Sequence, residues 1–245
     1  MTDYDRRRIL KFGALFPLAL TSACTTVPLA KGKKPAEEKL ERLPKRLPFG
    51  PEPTFPPFEE MYAARSDGGF QIPAIPYQKI DERFLRQVVK DPTGERAGTI
   101  VVNTRSHHLY LVLGNGKAVR YGVGLGKAGF EWAGRAEVKR RASWPRWHPP
   151  EEMIERRPDL EKYRTTYDAK KDIYLGGMDG GPQNPLGARA LYLYQGKVDT
   201  LYRLHGSPEW NSIGKSVSSG CVRLINQDVI DLHSRVTGNA PVLVR

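Results

Sequence analysis

Residues 99–123 read TIVVNTRSHHLYLVLGNGKAVRYGV, and this stretch determines the fold class. It holds three runs rich in β-branched, aromatic and aliphatic residues, at 99–103, 107–113 and 119–123. Between the second and third runs, Gly114-Asn115-Gly116-Lys117 is a strong signal for a tight hairpin turn. The stretch therefore predicts an antiparallel meander of three strands.

More short strands are expected toward the C-terminus. Further β-like runs occupy residues 136–140, 188–194, 200–204 and 241–244. The turn Gln195-Gly196-Lys197 predicts a second hairpin, and only residues 227–236 have a clearly helical pattern. Many short strands separated by turns indicate a mainly β fold, a sandwich or barrel-like core with few short helices.

A long segment at about 144–184 interrupts the strands. It contains Trp144-Pro145-Arg146-Trp147-His148-Pro149-Pro150, then a polar, helix-like stretch at 151–163. Insertions of this length in small domains are usually functional or disordered. Its aromatic residues could stack on sugar rings or form a lid over a cleft. Alternatively, Trp144 and Trp147 fill a small satellite core.

The first 24 residues predict an export signal. A charged start is followed by an apolar run at 12–20, too short for a comfortable transmembrane helix. Asp5-Arg6-Arg7-Arg8-Ile9-Leu10-Lys11 resembles the twin-arginine motif. Leu20-Thr21-Ser22-Ala23-Cys24 resembles a bacterial lipobox, although Thr21 stands where that motif usually has leucine. We expect lipidation of Cys24, with cleavage lacking a lipid as the alternative.

The rest of the chain divides into three parts. Residues 25–77 are rich in proline and charge and predict a disordered tether. Residues 78–96 form a lead-in segment, with a short helix expected at 78–92, and residues 97–245 form the domain. The formal net charge of +12 suits anionic envelope polymers, or a diffuse positive surface with no partner, while export argues against nucleic acid.

The candidate catalytic residues are His205 and Cys221. A cysteine becomes a strong nucleophile as its thiolate, so it needs a neighbouring base or cation. Gly220 lets backbone approach a carbonyl, and the N–H groups of Gly220 and Cys221 could hold an oxyanion. Arg223 lies on the same side of an extended segment and can bind a carboxylate. The pattern indicates acyl transfer.

Cys221 could also serve a purely structural role, in one of two ways. The chain has two cysteines, so Cys221 could form a disulfide with Cys24, or it could be a buried inert thiol. The export signal accounts for Cys24, which leaves Cys221 as the single thiol of the exported domain. No metal-ligand spacing, nucleotide-phosphate loop or cofactor motif is evident, so no cofactor is expected.

The segment His205-Gly206, followed by Ser218-Ser219-Gly220-Cys221-Val222-Arg223, resembles the signature of the L,D-transpeptidase catalytic domain family (YkuD-like). The resemblance covers about 97–245 and includes Asn184-Pro185-Leu186-Gly187. It implies a β-sandwich-like enzyme of the bacterial envelope or periplasm that acts on peptidoglycan stem peptides. Many members have histidine at the position of Ser219, so the base role falls on His205 alone.

The resemblance also implies roles for individual residues. Cys221 would attack the carbonyl of the third, diaminoacid residue of a tetrapeptide stem, and His205, oriented by a backbone carbonyl, would move the proton. Gly206, Ser218, Ser219 and Arg223 are expected on the substrate-binding side. An amine would resolve the thioester to a 3→3 cross-link. The alternatives are an L,D-carboxypeptidase, in which water resolves it, and a non-catalytic peptidoglycan-binding anchor.

Overall fold

A single mixed sheet of eleven strands dominates the fold of the computed structural model, which describes residues 52–126, 133–171, 173–218 and 221–245. Strand residues make up 40% of the structure and helical residues 19%, so the predicted mainly β class with few helices is confirmed. The sheet order is β13-β7-β14-β12-β11-β8-β15-β4-β5-β6-β3. Its strands are β3 Gln87–Lys90, β4 Ile100–Asn103, β5 His108–Gly114, β6 Lys117–Gly122, β7 Gly124–Gly126, β8 Gly134–Ser143, β11 Arg189–Gln195, β12 Val198–Ser207, β13 Ser216–Ser218, β14 Val222–Ile225 and β15 Pro241–Val244.

The predicted meander is present as β4, β5 and β6. Strand β5 pairs antiparallel with both β4 and β6. Asn115 (φ 45°) and Gly116 (φ 75°) make the turn, and both lie in the left-handed region that a type I′ hairpin requires. The second predicted hairpin is also present, with β11 pairing antiparallel with β12 around Gly196.

The main core lies where the sheet packs on helix α3, Asn226–Arg235. The helix was expected at 227–236, and it contributes the buried residues Val229 and Leu232. Strands β4, β5, β11 and β12 contribute fully buried aliphatic side chains to the same cluster. Burial of this apolar surface stabilises the fold and fixes the register of each strand, because a one-residue slip would expose its core side chains.

Residues 52–90 differ from the expected tether and helix. Helix α1 (Phe58–Met61) precedes the hairpin of β1 (Arg65–Asp67) and β2 (Phe70–Ile72). Six side chains of this segment are buried: Met61, Tyr62, Ile72, Ile75, Leu85 and Arg86. The helix expected at 78–92 is wrong, because two short 3-10 turns lead instead into β3, an edge strand paired with β6. The predictions for residues 1–51 lie outside the described residues.

The insertion at 144–184 forms a small unit with its own packing. Helix α2 (Glu151–Arg156) and a 3-10 helix (Pro158–Tyr163) replace the single helix-like stretch, because Pro158 ends the first helix. A short hairpin follows, made of β9 (Thr166–Asp168) and β10 (Ile173–Leu175). Trp147 is buried with Ile154 and Leu160, as the satellite-core interpretation expected. The ring of Trp144 instead packs at a tilt against that of Phe70 of the N-terminal hairpin, with the ring centroids 4.6 Å apart.

Candidate active site

The parallel pair of β12 and β14 brings the predicted catalytic residues onto one face of the sheet. His205 pairs directly with Arg223, and Leu204 pairs with Val222. Leu204 and Val222 belong to the main core. Because side chains alternate along a strand, His205 and Arg223 lie on the opposite face, and the same alternation, continued one residue back from the start of β14, puts Cys221 on that face. Strand geometry puts the Cα atoms of His205 and Cys221 about 8 Å apart, a separation that the two side chains can span.

The imidazole of His205 is buried and held in one tautomer. Its Nδ1 lies 2.6 Å from the carbonyl oxygen of Gly206. A carbonyl only accepts hydrogen bonds, so Nδ1 donates, carries the proton and leaves Nε2 as the basic nitrogen. Burial lowers the pKa of His205 to about 4, with the backbone carbonyls of Gly206 and Pro185 opposing the shift. At neutral pH the imidazole is uncharged.

Gly206 is required by close packing. A Cβ atom at this position would stand 2.3 Å from Asn226 Oδ1 and 2.9 Å from Val229 Cγ1. The backbone of β12 therefore lies directly against α3, where its carbonyl can hold the His205 ring. This packing accounts for the glycine without any contact to a substrate.

Two asparagines, whose roles the sequence did not assign, position the loop beside His205. Asn184 Nδ2 donates to three carbonyl oxygens, the shortest contacts being 3.0 Å to Pro145 and Asp179, and its Oδ1 accepts from the Leu186 N–H. Asn226 Oδ1 accepts from the Ala188 N–H at 2.9 Å. Asn184 had a sequence signal, the Asn-Pro-Leu-Gly segment of the family resemblance. Asn226 stands out only as a polar residue at a strand-to-helix junction.

Cys221 is a free cysteine immediately before β14, and the residue is partly exposed. Burial of its thiol raises the pKa of Cys221, while a backbone hydrogen bond from Arg203 and the charges of Arg203 and Arg223 lower it in part. The expectation was that a base would lower this pKa. The arrangement instead gives a neutral thiol beside a neutral imidazole, because desolvation disfavours both charged forms.

The two arginines nearest the thiol are each paired with a carboxylate. Arg223 Nη1 lies 2.5 Å from Glu209 Oε2, on a glutamate whose side chain is 61% exposed. Arg203 binds both oxygens of Asp199 and stacks on the Tyr192 ring, with its Cζ 4.4 Å from the ring centroid. Arg223 therefore faces the cleft as part of an ion pair whose acidic partner is open to solvent.

The other predicted site residues are only partly described. Ser218 belongs to β13, whose backbone pairs with β7 beside the site. Ser219, Gly220 and Cys24 lie outside the described residues. Within the described ranges, no group of three or more histidine, cysteine, aspartate or glutamate side chains could hold a metal ion. In that same part of the chain, no helix is long and apolar enough to cross a membrane.

Known proteins resemble this chain over its C-terminal part. It is 30% identical over 142 residues to a probable L,D-transpeptidase, YbiS, of Escherichia coli K12, which covers 56% of this chain and 41% of that protein. It is 29% identical over 147 residues to a putative L,D-transpeptidase, YqjB, of Bacillus subtilis 168, covering 59% of this chain and 69% of that protein. The chain thus spans less than half the length of YbiS.

The solved structures that resemble this chain do so with TM-scores below 0.5. A Brucella melitensis chain described as a probable carnitine operon oxidoreductase is 45% identical, with 66% of this chain and 94% of that chain covered and a TM-score of 0.44. An L,D-transpeptidase from Mycobacterium smegmatis is 17% identical, with 60% and 58% covered and a TM-score of 0.40. TM-scores at this level support no argument about function.

The family comparison is decisive, because the model of the L,D-transpeptidase catalytic domain (YkuD) matches residues 97–244. That match covers more than half of the chain and includes both His205 and Cys221. The chain therefore belongs to the L,D-transpeptidase catalytic domain family.

Proposed function

We propose that this protein is a peptidoglycan L,D-transpeptidase that uses Cys221 as its nucleophile and His205 as its base. The observation that carries the proposal is the register of β12 and β14, which pairs His205 with Arg223, two residues after Cys221, together with the bond from His205 Nδ1 to the Gly206 carbonyl. That bond directs the basic Nε2 away from the backbone, as a general base for a thiol requires.

These two side chains account for every bond change and proton transfer in the reaction. Cys221 Sγ attacks the carbonyl carbon of the diaminoacid residue while its proton passes to Nε2 of His205. The tetrahedral intermediate then collapses, the bond to D-alanine breaks, and the imidazolium returns the proton to the leaving amine. An amine of a second stem attacks the thioester, gives its proton to His205 and releases the thiolate, which is reprotonated. The product is a 3→3 cross-link.

The neutral resting pair suggests when the proton moves. With the pKa of Cys221 raised by burial and that of His205 lowered to about 4, a thiolate–imidazolium pair is disfavoured before substrate binds. Proton transfer therefore accompanies attack on the carbonyl. The developing oxyanion would be bound by the N–H groups of Gly220 and Cys221.

The remaining predicted contacts complete the proposal. Arg223 would bind a substrate carboxylate by exchanging it for Glu209, whose exposed side chain can move aside. Ser218 and Ser219 would contact the stem near the thiol, and Gly206 would contribute through its backbone. Residues 1–24 would direct export to the cell envelope, with Cys24 as a lipid anchor, and residues 97–245 would act on the cell wall.

Muropeptide analysis tests the proposal. Sacculi rich in tetrapeptide stems are incubated with the wild-type protein or with Cys221→Ala, digested and separated by mass. We expect 3→3 dimers with the wild type and none with the variant. Tripeptides without dimers would identify an L,D-carboxypeptidase. Binding to sacculi with no change in either product would identify a non-catalytic anchor.

A further inference from the structure

A cavity of about 310 Å³ lies at the C-terminal end of β12, next to the proposed catalytic strand. Its walls come from two sources. The segment Gln71–Ile75 precedes the family-matched residues 97–244, and the rest of the lining belongs to them. The principal lining side chains from the family-matched part are Trp144, Gln183, Ser207, Trp210 and Asn226.

The walls are held in place by specific contacts. Trp144 Nε1 donates to Asp67 Oδ2 at 2.8 Å, and Asp67 is itself bound by both Nη atoms of Arg189. Gly68 leaves room for the indole, because a Cβ there would stand 2.6 Å from Trp144 Nε1. Asn226 is fixed by its bond to Ala188. Trp144 and Asn226 are therefore held in place before any ligand binds, which lowers the entropic cost of binding.

The lining selects a neutral ligand. Of the described residues that line the cavity, none has a charged side chain, although the chain as a whole carries a formal charge of +12. Indole rings offer flat apolar surfaces, while the exposed side chains of Gln71 and Gln183 offer hydrogen-bonding groups. A ring with apolar C–H faces and a rim of hydroxyl and amide groups matches this lining, and an N-acetylated sugar is such a ring.

The distance between the cavity and the proposed catalytic residues also fits a sugar of this kind. Ser207 lies two residues beyond His205 on the same face of β12, which is about 7 Å along the strand. In the proposed substrate, the attacked carbonyl belongs to the third residue of a stem attached to a glycan strand. Cys221 lies opposite Arg203, which puts it about 14 Å from Ser207 across the strand pair. Three extended residues span about 10 Å, and the Cys221 side chain and the sugar ring span the rest, so a sugar can reach the cavity while its stem reaches Cys221.

We propose that this cavity binds an N-acetylated sugar of the glycan strand that carries the donor stem. The inference rests on the proposed function and deepens it, because it makes the enzyme select glycan-linked stems over free peptides. It also gives residues 71–75, which precede the family-matched domain, a direct part in substrate selection.

Donor selectivity tests the proposal. D-alanine release is measured with a tetrapeptide linked to its N-acetylated disaccharide and with the same tetrapeptide free. We expect the wild type to favour the linked donor by about tenfold in kcat/KM, a difference of about 1.4 kcal/mol. The double variant Gln71→Ala/Gln183→Ala should bring the ratio close to one. Gln195→Ala, which changes a glutamine at the far end of β11, should keep the wild-type ratio.

A second measurement does not depend on turnover. The neutral disaccharide of N-acetylglucosamine is titrated into the full chain while tryptophan fluorescence is recorded, with the double variant as the control. Saturable quenching that the variant loses supports the site. Three results would overturn the sugar site. They are a kcat/KM ratio of linked to free donor near one in the wild type, a ratio unchanged in the double variant, and binding of a proline-rich peptide in place of the sugar. If neither donor is turned over but the sugar binds, the proposed function fails and the sugar site stands.

Discussion

The β12–β14 pair and the N-terminal segment, residues 52–90, differ in how they use charge. The strand pair is held by a backbone ladder, and its polar face contains the neutral pair His205 and Cys221. The N-terminal segment joins the sheet through β3 and packs apolar side chains against Ile213 and Ile225, and it also makes a buried ion pair with α3. Arg86, only 7% exposed, lies 3.3 Å from Asp231 and 3.8 Å from Asp228 of α3. The molecule thus uses buried charge for anchoring and keeps charge off the residues proposed for catalysis.

The buried anchor is a connected network. Tyr62 donates from its hydroxyl to Asp228 Oδ2 at 3.3 Å and accepts the Arg86 N–H at 2.8 Å. Gln227 Nε2 donates to the carbonyls of Ala63 and Pro73. Because Pro73 also lines the cavity, this network fixes one wall of the proposed sugar site. Loosening the anchor should therefore disturb the cavity before it disturbs His205.

Removing the base should give the largest effect. We expect His205→Gln to lower kcat/KM by about 10³-fold, because general base catalysis contributes about 10²–10⁴-fold. His233→Gln, on the outer part of α3, should stay within twofold of the wild type and controls for loss of a histidine. The measurement is D-alanine release, with the thermal unfolding midpoint of each protein recorded. Activity of His205→Gln within tenfold of the wild type would contradict the role of His205.

Breaking the anchor should affect stability more than chemistry. Arg86→Met leaves Asp228 buried beside Asp231 without its cation, which should cost about 3–5 kcal/mol of unfolding free energy. Arg135→Met removes a cation that pairs with Glu95 through a 65% exposed side chain, and it should cost less than about 1 kcal/mol. Urea unfolding measures both. Equal losses in the two variants would show that the buried network does not anchor the segment.

The pH dependence of stability should identify Asp228. Burial raises the pKa of Asp228 to about 7, with Asp231 raising it further and Arg86 and Tyr62 opposing. The folded state then binds a proton that the unfolded state has released, so stability falls as pH rises from about 4 to about 7. We expect Asp228→Asn to remove a fall on the order of 4 kcal/mol.

In the same experiment, His205 changes the stability with pH in the opposite direction. Its pKa is lowered to about 4 by burial, so its contribution is present above the ordinary histidine pKa and is lost as pH falls. The contribution of His205 is the same in the wild type and in Asp228→Asn. The difference between their urea unfolding midpoints at each pH therefore reports the contribution of Asp228 alone. Parallel pH curves for the two proteins would mean that Asp228 is ionised throughout.

A smaller effect should appear in the reactivity of the thiol. Because burial raises the pKa of Cys221, its alkylation by iodoacetamide in the ligand-free protein should have a midpoint above that of free cysteine. The rate is followed by intact mass from pH 6 to pH 10. A midpoint well below that of free cysteine would indicate a preformed thiolate and would contradict the neutral pair.

The sequence could predict the sheet but not the anchor, for a physical reason. Strands β4, β5 and β6 have local signals, since apolar runs and the Asn115-Gly116 turn lie within one stretch. The candidate site has a sequence signal too, because His205 and Cys221 belong to a family motif. Residues 52–77 are rich in proline and charge, and they pack through contacts with α3 more than 140 residues away, such as Tyr62 with Asp228. Such contacts leave no local pattern.

Trapping the acyl-enzyme is the most direct test of Cys221 as the nucleophile. The wild-type protein is mixed with the disaccharide-linked tetrapeptide donor in the absence of an acceptor amine, quenched in acid and analysed by intact and peptide mass spectrometry. We predict a thioester-linked tripeptide adduct on the peptide that contains Cys221, formed as D-alanine is released and absent from Cys221→Ala. Release of D-alanine at the same rate by both proteins, with no adduct on Cys221, would contradict the proposed role of the thiol.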